Sequence, residues 1–166
     1  MRLNSKRRLL CTAASPFLTL LLSVLVAAPA FAQSDPPIPA NHIRIHYHRT
    51  DGNYSGWTVY AFFDTTEDTG NYGGGPVQVA GTDTYGAYFD VGVTSSAQNV
   101  GLIIHNPTAP GGDQKDPGPN EFVNPSTMGN EFWAYSGIGK LYNEPIDVNN
   151  PNALLPGYAR IHYFRP

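Results

Sequence analysis

From Ile43 onward, apolar and polar residues alternate with a period of two. Ile43, Ile45 and Tyr47 alternate with Arg44, His46 and His48, and Trp57, Val59, Ala61 and Phe63 alternate with Thr58, Tyr60 and Phe62. Successive side chains of a strand point to opposite faces, so each run predicts a strand with one face toward a core. Further strand-like runs cover 77–79, 87–93, 100–105 and 131–136. Turn formers separate them, among them Asp51-Gly52-Asn53, Gly73-Gly74-Gly75-Pro76 and Asp116-Pro117-Gly118-Pro119. No window carries a sustained helical period. Short strands with turns at intervals of about ten residues predict an all-β fold, a β-sandwich from about residue 41 to 144.

The flanks follow other rules. Residues 1–32 read as an export signal: a basic start (Arg2, Lys6, Arg7, Arg8), an apolar run from Phe17 to Ala28, and small residues at Ala30 and Ala32 before Gln33. Cleavage there removes Cys11, the single cysteine, and with it any disulfide or cysteine zinc site. The apolar run is shorter than the roughly 20 residues that span a bilayer, so no membrane association is expected after cleavage. The expected location is periplasmic, cell-surface or extracellular. Residues 33–40 form a proline-rich lead that cannot continue as helix or strand.

Residues 145–157 (Pro-Ile-Asp-Val-Asn-Asn-Pro-Asn-Ala-Leu-Leu-Pro-Gly) read as a linker. Beyond it, Arg160-Ile161-His162-Tyr163-Phe164-Arg165 repeats Arg44-Ile45-His46-Tyr47-His48-Arg49 at five of six positions. Residues 158–166 are therefore expected to be the first strand of a second, truncated copy, and the chain the front of a longer protein.

Charge narrows the partners. Four of the ten basic residues lie in the leader and all thirteen acidic ones follow it, leaving six against thirteen, a net −7 compared with −3 for the whole chain. An acidic surface argues against nucleic acid and anionic membrane, which reward clustered Lys and Arg. A neutral partner fits better.

Five segments, in order, carry a family resemblance: 43–57 (Ile-Arg-Ile-His-Tyr-His-Arg-Thr-Asp-Gly-Asn-Tyr-Ser-Gly-Trp), 81–91 (Gly-Thr-Asp-Thr-Tyr-Gly-Ala-Tyr-Phe-Asp-Val), 100–105 (Val-Gly-Leu-Ile-Ile-His), Lys115-Asp-Pro-Gly-Pro119 and Gly129-Asn-Glu-Phe-Trp133. Over about residues 42–144 the chain resembles the family 41 carbohydrate-binding modules of bacterial pullulanases. The resemblance implies an immunoglobulin-like β-sandwich that binds α-glucans such as starch, pullulan, glycogen and maltooligosaccharides without catalysis. It also implies a covalently linked glycoside hydrolase family 13 domain, with modules often in tandem, which suits the repeat.

A pyranose stacks its C–H face on an exposed aromatic ring and needs donors and acceptors for its hydroxyls. The family platform is two aromatics one position apart just after a Gly-Trp pair, which implies Tyr60 and Phe62 here. Parity places both opposite the inward set of Trp57, Val59, Ala61 and Phe63, with Trp57 in the core. By parity alone the pair serves ligand or packing equally, since the rings can cover one another or lie beneath the loop from 64 to 76; the resemblance favours ligand. Tyr and Phe in place of the family's usual tryptophans imply reduced stacking area.

Lys115 and Asp116 match the family's Lys-Asp pair, which implies hydrogen bonds to glucose hydroxyls, a three-proton donor beside an acceptor. An isolated Lys-Asp would by default be a solvated loop pair. His42, His46 and His48 share one parity, but no further ligand accompanies them, so no metal is assigned. They read as solvent-facing positions, with His46 and His48 as secondary candidates for the sugar surface. Asp64, Glu67, Asp68, Asp83 and Asp90 are carboxylates outside any catalytic motif, so no catalytic residue and no cofactor are assigned. Two rivals remain: a spacer sandwich without sugar binding, and a glucan hydrolase in its own right.

Overall fold

The computed structural model describes residues 35–67, 76–116, 118–151 and 153. The predicted leader (1–32) and repeated strand (158–166) lie outside the described residues, as does part of the predicted linker. Among the described residues the elements are β1 (His42–His48), β2 (Thr58–Phe63), β3 (Gly81–Thr82), β4 (Ala87–Gly92), β5 (Val100–Asn106), β6 (Gln114–Lys115), β7 (Glu121–Val123), α1 (Pro125–Met128), β8 (Glu131–Tyr135) and β9 (Leu141–Tyr142).

The strands form two sheets. One has five strands in the order β3-β4-β1-β8-β9; the other aligns β2-β5-β6, with β7 also on β5. β1 is central in the first sheet, antiparallel to β4 and parallel to β8. β5 is central in the second: its start pairs with β7 and its end with β6. The single helical turn α1 starts where Asn124 accepts a hydrogen bond from the Ser126 amide and Pro125 takes the first helical position. The sequence shows this turn only as a local cap, since four residues cannot establish a period.

The core lies between the sheets, as the alternation predicts. Ile43, Ile45, Tyr47, Phe89, Val91, Phe132 and Ala134 from the five-stranded sheet meet Trp57, Val59, Ala61, Val100, Leu102 and Val123 from the other. Each large apolar side chain so buried contributes about 1.5–3 kcal/mol. The architecture is an all-β sandwich.

At one position parity fails. Phe63, predicted inward, is 64% exposed, because its φ of +69° turns the chain at the end of β2. Ile146, within the predicted linker, is buried, so the chain leaving β9 packs back onto the sandwich.

Candidate functional site

Residues paired across antiparallel strands point to the same side. Tyr60 pairs with Ile103, and Phe62 with Gly101, which in turn pairs with Phe122. The outer face of the four-stranded sheet therefore carries Tyr60, Phe62, Ile103 and Phe122. Tyr60 and Phe62 stack with centroids 5.6 Å apart and planes at 25°, and Phe62 meets Phe122 edge-on at 5.7 Å. Gly101 makes this possible: a Cβ there would sit 2.2 Å from the Phe62 ring, so the ring lies flat on bare backbone. Both predicted platform residues thus stand on one face, half-buried. They cover one another in part, but Phe122, which the sequence reading missed, is 49% exposed beside them. Its signal was position: three residues form β7, and its parity became legible only from its pairing with β5.

Lys115 pairs with His105, and His105 with Thr58, so Lys115 projects from the same outer face. Its exposed Nζ donates to Asn120 Oδ1 at 2.8 Å. Asp116 does not share that face. Alternation along the extended chain turns it inward, where it is 9% exposed and its carboxylate accepts from the Gly137 amide at 2.8 Å. The Tyr47 hydroxyl and Ser136 also hydrogen-bond to it, and burial raises its pKa above the usual aspartate value. Burial pushes the Tyr47 phenol up to about 12, so it remains a donor. The expectation that Lys115 and Asp116 grip one sugar as neighbours is corrected: Asp116 ties the turn after β8 to the core, and Asn120 supplies the carbonyl oxygen and amide beside Lys115. The sequence concealed this, because the acceptor lies five residues on from the lysine rather than beside it.

His46 and His48 lie on the other sheet. Their outer face is also aromatic, but its groups are occupied with one another. His46, expected to face solvent, is 2% exposed: Nδ1 contacts the Asp83 carboxylate, Nε2 lies 2.8 Å from Glu131 Oε1, and the ring stacks on Trp133 at 5.0 Å and 4°. His48 Nδ1 donates to the Tyr85 carbonyl at 2.6 Å, and its ring stacks on Tyr135 at 5.1 Å. His42 Nδ1 donates to the Ala40 carbonyl at 2.8 Å. The three histidines are therefore held by different partners. Beside them Arg44, also buried, binds Asp90 through two nitrogens at 2.7 and 2.8 Å and the Pro36 carbonyl at 2.6 Å, with its guanidinium 4.1 Å over Tyr88. The Asp90 hydrogen bond raises the Arg44 pKa further, against the opposing effect of burial. The proline-rich lead thus contributes one carbonyl to the sandwich.

A family profile described as "Bacterial pullanase-associated domain" matches residues 41–143. The chain belongs to this family. The alpha-amylase of Streptomyces lividans is 38% identical to this chain over 72 residues, 43% of the chain and 7% of the amylase. Pullulanase A of Streptococcus pneumoniae is 28% identical over 79 residues, 48% of this chain and 6% of that enzyme. The chain thus spans under a tenth of the length of either curated relative. Among solved structures, family 41 carbohydrate-binding modules from streptococcal virulence factors, described for alpha-glucan recognition, superpose with a TM-score of 0.57 at 24% identity over 65% of this chain and 49% of theirs. PulA from Klebsiella oxytoca superposes with a TM-score of 0.52 at 15% identity over 66% of this chain and 12% of its own. At such identities the likeness establishes the fold.

Proposed function

We propose that this pullanase-associated domain binds α-glucans without catalysis, through the outer face of its four-stranded sheet, and that it directs an attached α-glucan hydrolase to its substrate after export. The observation that carries this reading is the adjacent pair of half-buried rings, Tyr60 and Phe62, on the same face as Lys115, whose Nζ is hydrogen-bonded to Asn120. Tyr60 and Phe62 offer π-faces to the apolar face of glucose. Lys115 donates and Asn120 both donates and accepts, which fixes the sugar's register. The alpha-glucan recognition described for the structurally similar streptococcal modules supports the ligand class. With a few rings and hydrogen bonds set against the cost of association, the affinity is about −4 to −8 kcal/mol, a Kd between about 1 mM and 1 μM.

Calorimetry with maltooligosaccharides and native gels containing amylopectin test this reading. Wild type binds and is retarded, while Tyr60→Ala with Phe62→Ala does neither. Equal binding by the double variant would place the site elsewhere, and no retardation of wild type would favour a spacer sandwich. Release of reducing ends from pullulan by the purified chain would overturn the non-catalytic reading.

A further inference from the structure

We infer that Phe63 and Phe122 form an additional stacking subsite that extends the Tyr60–Phe62 platform beyond the end of β2, so that the face takes a longer glucan chain than two rings would hold. This rests on the glucan reading above. At 64% and 49% exposure these two are the most exposed large apolar side chains among the described residues. They are near-parallel, 25° between planes with centroids 6.2 Å apart, and Phe62 joins them at 5.0 Å to Phe63 and 5.7 Å to Phe122. Four aromatic rings are thus contiguous, the inner two half-buried and the outer two open to solvent.

Phe63 occupies a backbone position that favours glycine. Its φ of +69° lies in the left-handed region, where a bulky side chain is a genuine outlier. The backbone there is secured without help from the ring. The Asp64 carboxylate accepts from the Gln98 and Asn99 amides at 2.9 Å each, the Thr65 amide donates to the Phe63 carbonyl at 2.7 Å, and Thr65 Oγ1 donates to the Gly92 carbonyl at 2.8 Å. The turn throws the ring off the inward face that parity would give it, onto the side of its neighbour Phe62. Among the described residues the Phe63 ring packs on Phe62 and Phe122, the other rings of the patch, so this part of the fold gains little from a phenylalanine here. A ligand gains a platform.

The rim specifies the kind of ligand. Beside the two rings stand the exposed amide side chains Gln98 and Asn99, whose backbone amides hold Asp64 next to Phe63, and Asn120, two residues before Phe122, whereas Glu121 pairs with Leu102 and turns to the inner side. A hydrocarbon floor edged by side-chain amides, with the Asp64 carboxylate already accepting from two backbone amides, suits a neutral polyhydroxylated chain. Continuity with Tyr60 and Phe62 makes that chain the same glucan.

The test is calorimetry with maltotriose and maltoheptaose on wild type, Phe63→Asn, Phe122→Ser and the double variant, with thermal melts and sedimentation on each. Asparagine tolerates the left-handed region, so Phe63→Asn retains the wild-type melting temperature. The double variant binds maltoheptaose about tenfold more weakly than wild type while maltotriose binding is unchanged. Unchanged maltoheptaose binding in the double variant, with binding abolished by Tyr60→Ala and Phe62→Ala, would overturn the subsite and leave the glucan reading standing. Failure of wild type to bind either sugar would overturn both. Loss of self-association alone in the double variant would make the patch a contact between copies of the chain and also overturn the subsite.

Discussion

The two outer faces of the sandwich are both rich in rings, yet the rings are held differently on each. On the five-stranded sheet, His46 is stacked on Trp133 and held between Asp83 and Glu131, His48 is stacked on Tyr135, and Arg44 is forked onto Asp90 and laid over Tyr88. Polar atoms at these positions have partners within the fold. On the four-stranded sheet, Tyr60, Phe62, Phe63 and Phe122 touch one another, and the outer two remain largely exposed. An aromatic outer face is therefore not by itself a binding face. On the five-stranded sheet the rings and their polar neighbours are satisfied internally, whereas Phe63 and Phe122 on the four-stranded sheet stay exposed, and the proposed binding face rests on that difference.

Arg44→Ala probes the saturated face and carries the largest expected effect. It leaves Asp90 and the Pro36 carbonyl without their partner, and breaking such a buried pair costs about 3 kcal/mol of stability, read as a lower denaturant midpoint. Maltoheptaose affinity of the folded fraction stays at the wild-type value. A loss of affinity greater than the loss of folded protein would mean the two faces are coupled.

The neighbours Lys115 and Asp116 divide the comparison within two residues. Asp116→Ala strands the Gly137 amide and the Tyr47 hydroxyl and costs about 2 kcal/mol, with glucan binding retained. Lys115→Ala does the reverse, weakening binding while the thermal midpoint holds. Exchange of these two outcomes would return Asp116 to the binding face.

A smaller effect is expected from Gly101→Ala. The added Cβ would meet the Phe62 ring at 2.2 Å, and that half-exposed ring can swing aside, so stability falls by less than about 1 kcal/mol while glucan binding weakens several-fold. Unaltered binding would mean that the orientation of Phe62 is irrelevant to the site.

The smallest effect concerns acid. The Gln98 and Asn99 amides hold the Asp64 pKa below the usual value, so its stabilisation is present above the unfolded-state pKa and is lost as pH falls through the folded one. Asp116 acts in the opposite sense: burial raises its pKa, so its neutral form is favoured and stability declines as pH rises from the unfolded value through the folded one. Asp64→Asn should flatten the loss of stability on acidification, and Asp116→Asn should steepen it, in denaturant titrations across the acid range. Because Asp64 anchors the turn that presents Phe63, binding of maltoheptaose should weaken over the same acid interval more than binding of maltotriose.

The sequence by itself determined the class of fold and the shared face of Tyr60 and Phe62, half of the proposed site. Period-two alternation in β1 and β2 placed Ile43, Ile45, Tyr47, Trp57, Val59 and Ala61 in the core, and the same parity placed Tyr60 and Phe62 together on the reverse face. Alternation is a local property of an extended chain, so it can be read from neighbours alone. Only the tertiary structure decided which outer positions the fold itself occupies. Nothing local to His46 shows that Asp83 and Glu131 will close on it from 37 and 85 residues away. Lys115 and Asp116 look equivalent until strand pairing sends one outward and the other to Gly137. Phe63 follows its alternation until a positive φ, secured by contacts to residues 92, 98 and 99, reverses its direction. In each case the deciding partner is distant in sequence, and only the packing of the two sheets brings it within reach.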